Sequence, residues 1–585
     1  MKKLFPFILL LLSSVQVKAQ LPGDYQSAGS GFWNVSSTWE RFNGASFVST
    51  SVPPSSSNGV ITIRSGHNVT VNTGVTTDQT IVDAGGTLTQ SSTLLMADGA
   101  GDDVTINGNY IFISGTVNGT GLMRVNGSME WQSGSLTTNI IIAEGASATK
   151  TTAGNANINS QFLNPVFTNN GTFTWEAGDF VLNYGSITNG ATGIFTATGN
   201  NAINTSGGNH NFDNAGIFIK NTDTGITAIN VDGSGSGTFN VDAGTISSAA
   251  NFTNTGTINV SSGKTFLVNG GNFTLGTGSN STGAGIFQLS AGNVTTAAAI
   301  ATPATASNFL FSGGDISGAL TCSFRVTGGM EWRTGSVHTN MELAAGSVNS
   351  KTTAGNANIN SQFLNPVFTN NGTFTWEAGD FVLNYGSITN GATGVITATG
   401  NNAIITSGGN HNFTNAGSFL KTNPTGTTAF TINATNTGTI QGVGTISSSF
   451  TNNGNIAPGN PTGILTVNGA QPFSGTSTLQ IQLQDGSGAG TGHDQLARSS
   501  NLTLSGTLTV TQTGTVPNGT YTIINLTSGF ISGSFSAINL PADYTLQVNP
   551  TNVVVIKEAS CINPRQTIGI DVNITFCQGQ SVTLT

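Results

Sequence analysis

One phrase recurs through the middle of the chain: an aromatic or aliphatic residue, Thr or Asp, Asn, any residue, Gly, any residue, then an apolar one. It reads FTNNGTF from Phe167, ITNGATGIF from Ile187, FDNAGIF from Phe212 and FTNTGTI from Phe252. It returns from Phe368, Ile388, Phe413 and Phe450. The first spacings are 20 and 25 residues in both series. A period of that length points to a repeat architecture before any other fold. It is the length of one coil of a parallel β-solenoid. A short strand turns alternate residues inward, and a turn of Asn or Gly, which tolerate positive φ, changes direction. The next coil stacks about 4.8 Å away through backbone hydrogen bonds. One coil cannot bury its apolar face alone, so stacking supplies the core.

The repetition has a second level. Lys150–Gly193 recurs without change as Lys351–Gly394, an offset of 201 residues. The match continues to Gly216 and Gly417 with four substitutions, as Ile194, Phe195, Asn204 and Asp213 become Val395, Ile396, Ile405 and Thr414. Upstream it weakens, through Met123–Ser135 and Phe324–Ser336. The duplicated blocks are therefore 123–216 and 324–417.

Composition decides between order and disorder. Only 7% of the 585 residues are charged, and 79 are Gly. Yet 36% are hydrophobic, with 33 Phe recurring between turns, which a disordered chain would lack. Neutral Asn, Ser and Thr can stack in ladders without repulsion. No long run has helical periodicity. The net charge of −9 is spread thinly, so neither a nucleic-acid patch nor a membrane-binding face is expected.

Lys2 and Lys3, the apolar run Leu4–Leu12 and Val17-Lys18-Ala19 read as an export signal over 1–19, cleaved before Gln20. A membrane-spanning helix needs about 20 apolar residues, and no segment supplies them. Of three cysteines, Cys561 and Cys577 are close enough in sequence to pair in an oxidising compartment, a pairing left open. Cys322, which replaces Gly121 of the first block, reads as a small buried residue.

Residues 20–85 read as an N-terminal β cap. Trp33 and Trp39 close the end of the core, and Ile61, Ile63, Val69 and Val71 alternate as two strands. The solenoid is expected over 86–470 and a β-rich region over 471–557. The segment 558–585 reads as the start of a further module, because SVTLT is half of a strand without a partner. The sequence thus reads as a piece of a longer protein.

The stretch PGNPTGILTVNG, followed by DQL, LSGTLTV and GSFSAINLP, resembles the C-terminal β-solenoid region of autotransporter passengers. GFWNVSSTWE with ITIRSGHNVTV resembles the start of surface proteins exported by type IX secretion. CQGQSVTLT is similar to the first strands of their immunoglobulin-like or PKD-like modules. The resemblance covers residues 30–75 and 440–585 best. It implies a secreted or cell-surface adhesin-like protein.

Some β-solenoids are polysaccharide lyases or glycosidases, and glycoside hydrolysis needs two carboxylates about 5–10 Å apart. In stacked coils such a pair lies one coil apart. Opposite Glu176 and Asp179, the stretches Thr151–Ala156 and Thr196–Asn201 hold no acid. Glu377 and Asp380 are expected about nine coils away, roughly 40 Å at one strand spacing per coil. His210 and His411 stand without Cys or carboxylate neighbours, a poor metal pattern. The best acidic cluster is Asp78, Asp83, Asp98, Asp102 and Asp103, which stacking could gather around Ca²⁺ or leave as solvated turns. Trp131, Trp175 and Tyr184, with Trp332, Trp376 and Tyr385, read as core packing first and as sugar-stacking platforms second. Differences between the blocks at Gln132/Arg333 and Thr137/His338 suit exposed positions.

The expectation is an all-β protein dominated by a right-handed parallel β-solenoid with a β-rich C-terminal region. No catalytic, cofactor or metal residue is assigned. The expected function is non-enzymatic: a monomeric, rod-like adhesin or stalk, secreted or on the bacterial surface, binding glycans, surfaces or neighbouring cells. A carbohydrate-active enzyme and a passive matrix component are the alternatives.

Overall fold

The computed structural model describes residues 19–559, apart from 300, 320, 470 and 471, together with the backbone of 561, 562, 576 and 577. The export signal and most of 558–585 lie outside the described residues. Nearly all regular structure is β. Apart from a single 3-10 turn at Ser36–Thr38, the described residues form no helix. The chain divides into two compact units, Met1–Phe218 and Ile219–Thr585, and both are parallel β-solenoids. The units together carry about 19 turns.

In the first unit, Tyr25–Ser27 pairs antiparallel with Trp39–Phe42, which pairs antiparallel with Phe47–Ser49. Tyr25–Ser27 also pairs in parallel with Ile61–Ile63, the first strand of the coils. Trp33 and Trp39 are both 1% exposed, with ring centroids 5.0 Å apart. Their indole N–H groups donate to Pro54 O and Trp33 O. From Ile61 each coil has three short strands, and each strand pairs with the third one after it. Thus Ser147–Lys150 lies between Ser128–Trp131 and Thr172–Trp175, and Ala156–Asn159 lies between Gly134–Leu136 and Phe180–Asn183.

The recurring phrase is one column of this lattice. Phe167 is the Cα partner of Ile187, and Ile187 of Phe212. In the second unit Phe368, Ile388, Phe413 and Ala434 form the equivalent column. These residues are buried, each Phe or Ile side chain contributing about 1.5–3 kcal/mol by leaving water. Aromatic rings stack from coil to coil, as in Phe173–Phe195 at 4.7 Å and Phe195–Phe218 at 5.3 Å.

The first Asn of the phrase does not act as a turn residue, contrary to expectation. Two residues after the buried Phe it shares the inward parity, so its side chain enters the core. Asn169, Asn189 and Asn214 form a buried ladder with successive amide bonds of 2.8 Å. Asn370, Asn390, Asn415, Asn436 and Asn452 form a longer one, with bonds of 2.8, 2.6, 2.7 and 2.7 Å. Period-2 alternation places an amide there as readily as a methyl group, and pairing along the stack satisfies it.

Lysine is the second unexpected occupant. Lys150, Lys220, Lys351 and Lys421 are fully buried. Lys150 sits in the column between Trp131 and Trp175, and its ammonium donates to Gln132 O, Thr152 O and Ala177 O. Lys351 similarly donates to Thr353 O and Gly355 O. These carbonyls line the turn, so the cation finds its partners among backbone groups at the bend.

In the second unit, Thr265–Leu275, Ile286–Thr296, Ala304–Phe311 and Ser323–Trp332 run on across one corner. Register shifts after Val268 and Ala306 replace the turn by a bulge. At the far end Gly519–Leu526 and Tyr544–Val548 pair antiparallel with Asn552–Lys557. No helix among the described residues is long and apolar enough to cross a membrane.

Candidate functional site

The residues singled out from sequence divide sharply. Trp131, Trp175, Trp332 and Trp376 are 0% exposed. They are core residues, and the sugar-platform alternative fails for them because solvent cannot reach the rings. Cys322 is buried and free. Arg333 lies at the surface, paired with Glu331 at 2.8 Å. His338 is half-exposed, with its Nε2 3.5 Å from Asp315.

The register sets Trp175 between Lys150 and Ala197, so Glu176 follows in line with Thr151 and Thr198. Asp179 accepts from the Ala202 N–H at 2.8 Å and from Asn204 Nδ2 at 3.1 Å.

The acidic cluster is only partly assembled. Gln79 lies one coil below Asp103, which brings the Asp78 and Asp103 carboxyls close to one another. Burial and the Asp103 carboxyl both push the Asp78 carboxyl above the usual range. Asp103 is 1% exposed and accepts from the Gly99 and Leu122 N–H groups at 2.7 and 2.6 Å. Asp102 is instead paired with Arg124 at 2.6 Å. Asp83 is raised by burial, against the pull of Arg64. No bond or ion pair ties Asp98 to the others among the described residues. Among those residues no group of three or more His, Cys, Asp or Glu is placed to hold a metal ion.

The feature that stands out is one corner of the coils, present in both blocks. The strands ending at Asn159, Asn183 and Gly207 are successive neighbours, with these residues as Cα partners. Three loops leave this corner. In the first, Asn164 N donates to Ser160 O at 3.1 Å and Leu163 N to Ser160 Oγ at 3.2 Å. Asn164 adopts a φ of 44°, which Asn tolerates. This turn holds Phe162 at its tip with 89% of its surface exposed. In the second block the same loop holds Phe363 at 85% exposure, with Asn365 at φ 43°.

The second loop begins at Tyr184. Period-2 alternation would carry it into the core after Phe180 and Leu182, which are both buried. Instead its φ is 57°, and that of Tyr385 is 58°. A left-handed conformation costs a Cβ-bearing residue about 1–2 kcal/mol. It swings the ring out of the core line and lays it against Gly208, where an added Cβ would meet the ring at 2.4 Å. Tyr385 lies against Gly409 in the same way.

The third loop carries His210. Its Nδ1 lies 2.9 Å from Gly208 O and 3.1 Å from Thr205 Oγ1. A carbonyl can only accept, so Nδ1 carries the proton, and neutral imidazole presents Nε2 as an acceptor. His411 repeats this with Gly409 O and Thr406 Oγ1 at 2.7 and 3.2 Å. Asn384 Nδ2 donates to Asn360 Oδ1 at 3.2 Å, so the side-chain amides of neighbouring coils meet at this corner. Each corner thus presents an exposed phenyl ring, a phenol on a glycine shelf, an imidazole acceptor and a pair of amides. Phe162 and Phe363 escape sequence reasoning because nearly every other Phe of the repeat points inward. The signal lies in NSQFLNP, where Phe stands outside the alternation and before Asn and Pro.

The second unit also has a shallow hollow of about 400 Å³ over Gly329, between Ile286, Leu310 and Val348, with Glu331 and Arg333 at its rim.

No family model matches the chain, and no curated protein matches it either. Among solved structures, the crystal structure of the Haemophilus influenzae Hap adhesin is similar. Its sequence identity is 12% and the TM-score 0.29, over 92% of this chain and 71% of that one.

Proposed function

We propose that this chain is a non-enzymatic, adhesin-like protein, secreted or held at a bacterial cell surface, which binds glycans, surfaces or neighbouring cells as a monomer. The observation that carries this reading is the corner of Phe162, Tyr184 and His210, kept as Phe363, Tyr385 and His411 in the second block. A duplicated coil needs only its neighbours to fold, so folding alone does not call for an exposed Phe at the tip of a fixed loop. Binding does, because exposed aromatic anchors supply much of the energy of recognition. In this reading residues 1–19 are a removed export signal, 20–85 cap the first coils, and 558–585 begin an immunoglobulin-like or PKD-like module. Export by a type IX or autotransporter-like route is part of the same proposal. The test is attachment of purified protein, or of particles coated with it, to cells and glycan-coated surfaces. Attachment indistinguishable from an inert protein would reject the reading in favour of a passive matrix component.

A further inference from the structure

We infer that the corner of Phe162, Tyr184 and His210, and its counterpart of Phe363, Tyr385 and His411, are two equivalent binding sites for an uncharged saccharide. The inference rests on the binding reading above and names its ligand class. The argument begins with what each corner offers. Phe162 and Phe363 expose whole ring faces, 89% and 85% accessible, on loops held by backbone bonds to Ser160 and Ser361. A phenyl face suits the C–H face of a pyranose, and a rigid loop loses little entropy on binding. The amides of Asn159 and Asn183, and of Asn360 and Asn384, are one coil apart. That is about 4.8 Å, within reach of neighbouring hydroxyls on one sugar. Each amide both donates and accepts, which matches a hydroxyl. His210 and His411 each add an acceptor, because Nδ1 is spent on a backbone carbonyl.

Charge selects among ligands. The three loops, 160–165, 184–185 and 208–210, contain no Lys, Arg, Asp or Glu in the first block, and 361–366, 385–386 and 409–411 contain none in the second. The nearest lysines along the strands, Lys150 and Lys351, are buried on backbone carbonyls. An anionic ligand such as a uronate or sulfated glycan would find no cation to meet it. The left-handed Tyr184 and Tyr385 are the second observation. Their backbone is held in a costly conformation in both blocks, and its result is a ring laid flat on Gly208 or Gly409 at the same corner.

The blocks differ next to the site. Thr137 of the first is His338 in the second, and His338 Nδ1 donates to Asn360 O. This difference touches the backbone of the strand end and leaves Phe363, Tyr385 and His411 as they are in the first block.

The test uses the full chain and its variants Phe162→Ala, Phe363→Ala and the double variant, titrated calorimetrically with cello-, manno- and galacto-oligosaccharides and with oligogalacturonate. The expected result is binding of at least one neutral oligosaccharide at two sites per chain. Each single variant should bind one, and the double variant should lose about tenfold or more in affinity. Circular dichroism and melting of the variants should match the wild type, because the rings touch no core. Equal binding by the double variant, preference for oligogalacturonate, or no neutral binding would overturn the inference. Cell attachment that persists in the double variant would also overturn it, while leaving the broader binding reading standing.

Discussion

Asn390 donates its side-chain amide to Asn415 Oδ1 at 2.6 Å and accepts one from Asn370 at 2.8 Å, all three within the core. Asn390→Ala removes the middle of this ladder and leaves Asn415 Oδ1 without its donor. A buried unpaired polar group costs about 1–3 kcal/mol. The expected outcome is a fall of that size in urea-induced unfolding of the variant, whereas Phe363→Ala stays within about 0.5 kcal/mol as a surface change. A loss at Asn390 no larger than at Phe363 would show the ladder to be energetically idle.

Burial lowers the amines of Lys150 and Lys351 to about 8. The unfolded chain holds those protons up to about 10.5. Between these values the unfolded state binds more protons, so stability should rise with pH from about 8 to 10. Lys150→Met with Lys351→Met should flatten that rise. Denaturation at stepped pH measures it, and an equally steep rise in the double variant would refute the assignment.

Asp494 carries the opposite sign. It is 1% exposed, and burial pushes its carboxyl up to about 7, against N–H bonds from Gln482 at 2.7 Å and Gly463 at 2.9 Å. Between about 4 and 7 the folded state binds the extra proton, so stability should fall as pH rises through that window. Asp494→Asn should lose some stability at every pH, because its NH₂ faces a backbone N–H. Its pH slope over that window should be shallower than the wild type's. Parallel curves for the two proteins would contradict this.

Cys561 and Cys577 are Cα partners in a short antiparallel pair. Directly opposed residues lie about 4.5–5.5 Å apart, inside the span of a disulfide. Protein recovered from an oxidising compartment should resist alkylation at both positions until it is reduced. Unfolded but unreduced protein should be alkylated at Cys322 alone, and labelling at all three positions would count against the bridge.

The coil was legible because Phe167, Ile187 and Phe212 keep their spacing, and strand stacking demands that spacing. The burial of Trp131 and Trp175 followed from their parity. The inward Asn169 and Lys150 were less visible, although they share the parity of Phe167 and Ala148. Composition marks Asn and Lys as turn or surface residues, and only the carbonyls and amides of neighbouring coils reverse that preference. The corner site was least visible. Tyr184 continues the pattern of Phe180 and Leu182 by eye, and its departure lies in a left-handed backbone angle, with the ring against Gly208 one coil further on.

The lattice has a kinetic side. Pairings within the first unit's coils link residues about one coil apart, as in Ile140 with Phe167 and Phe167 with Ile187. Closing a loop of one coil costs little more than closing a shorter one. Each of these coils is templated by the one beneath it, and the antiparallel strands Tyr25–Ser27 and Trp39–Phe42 give the first coil an edge on which to start.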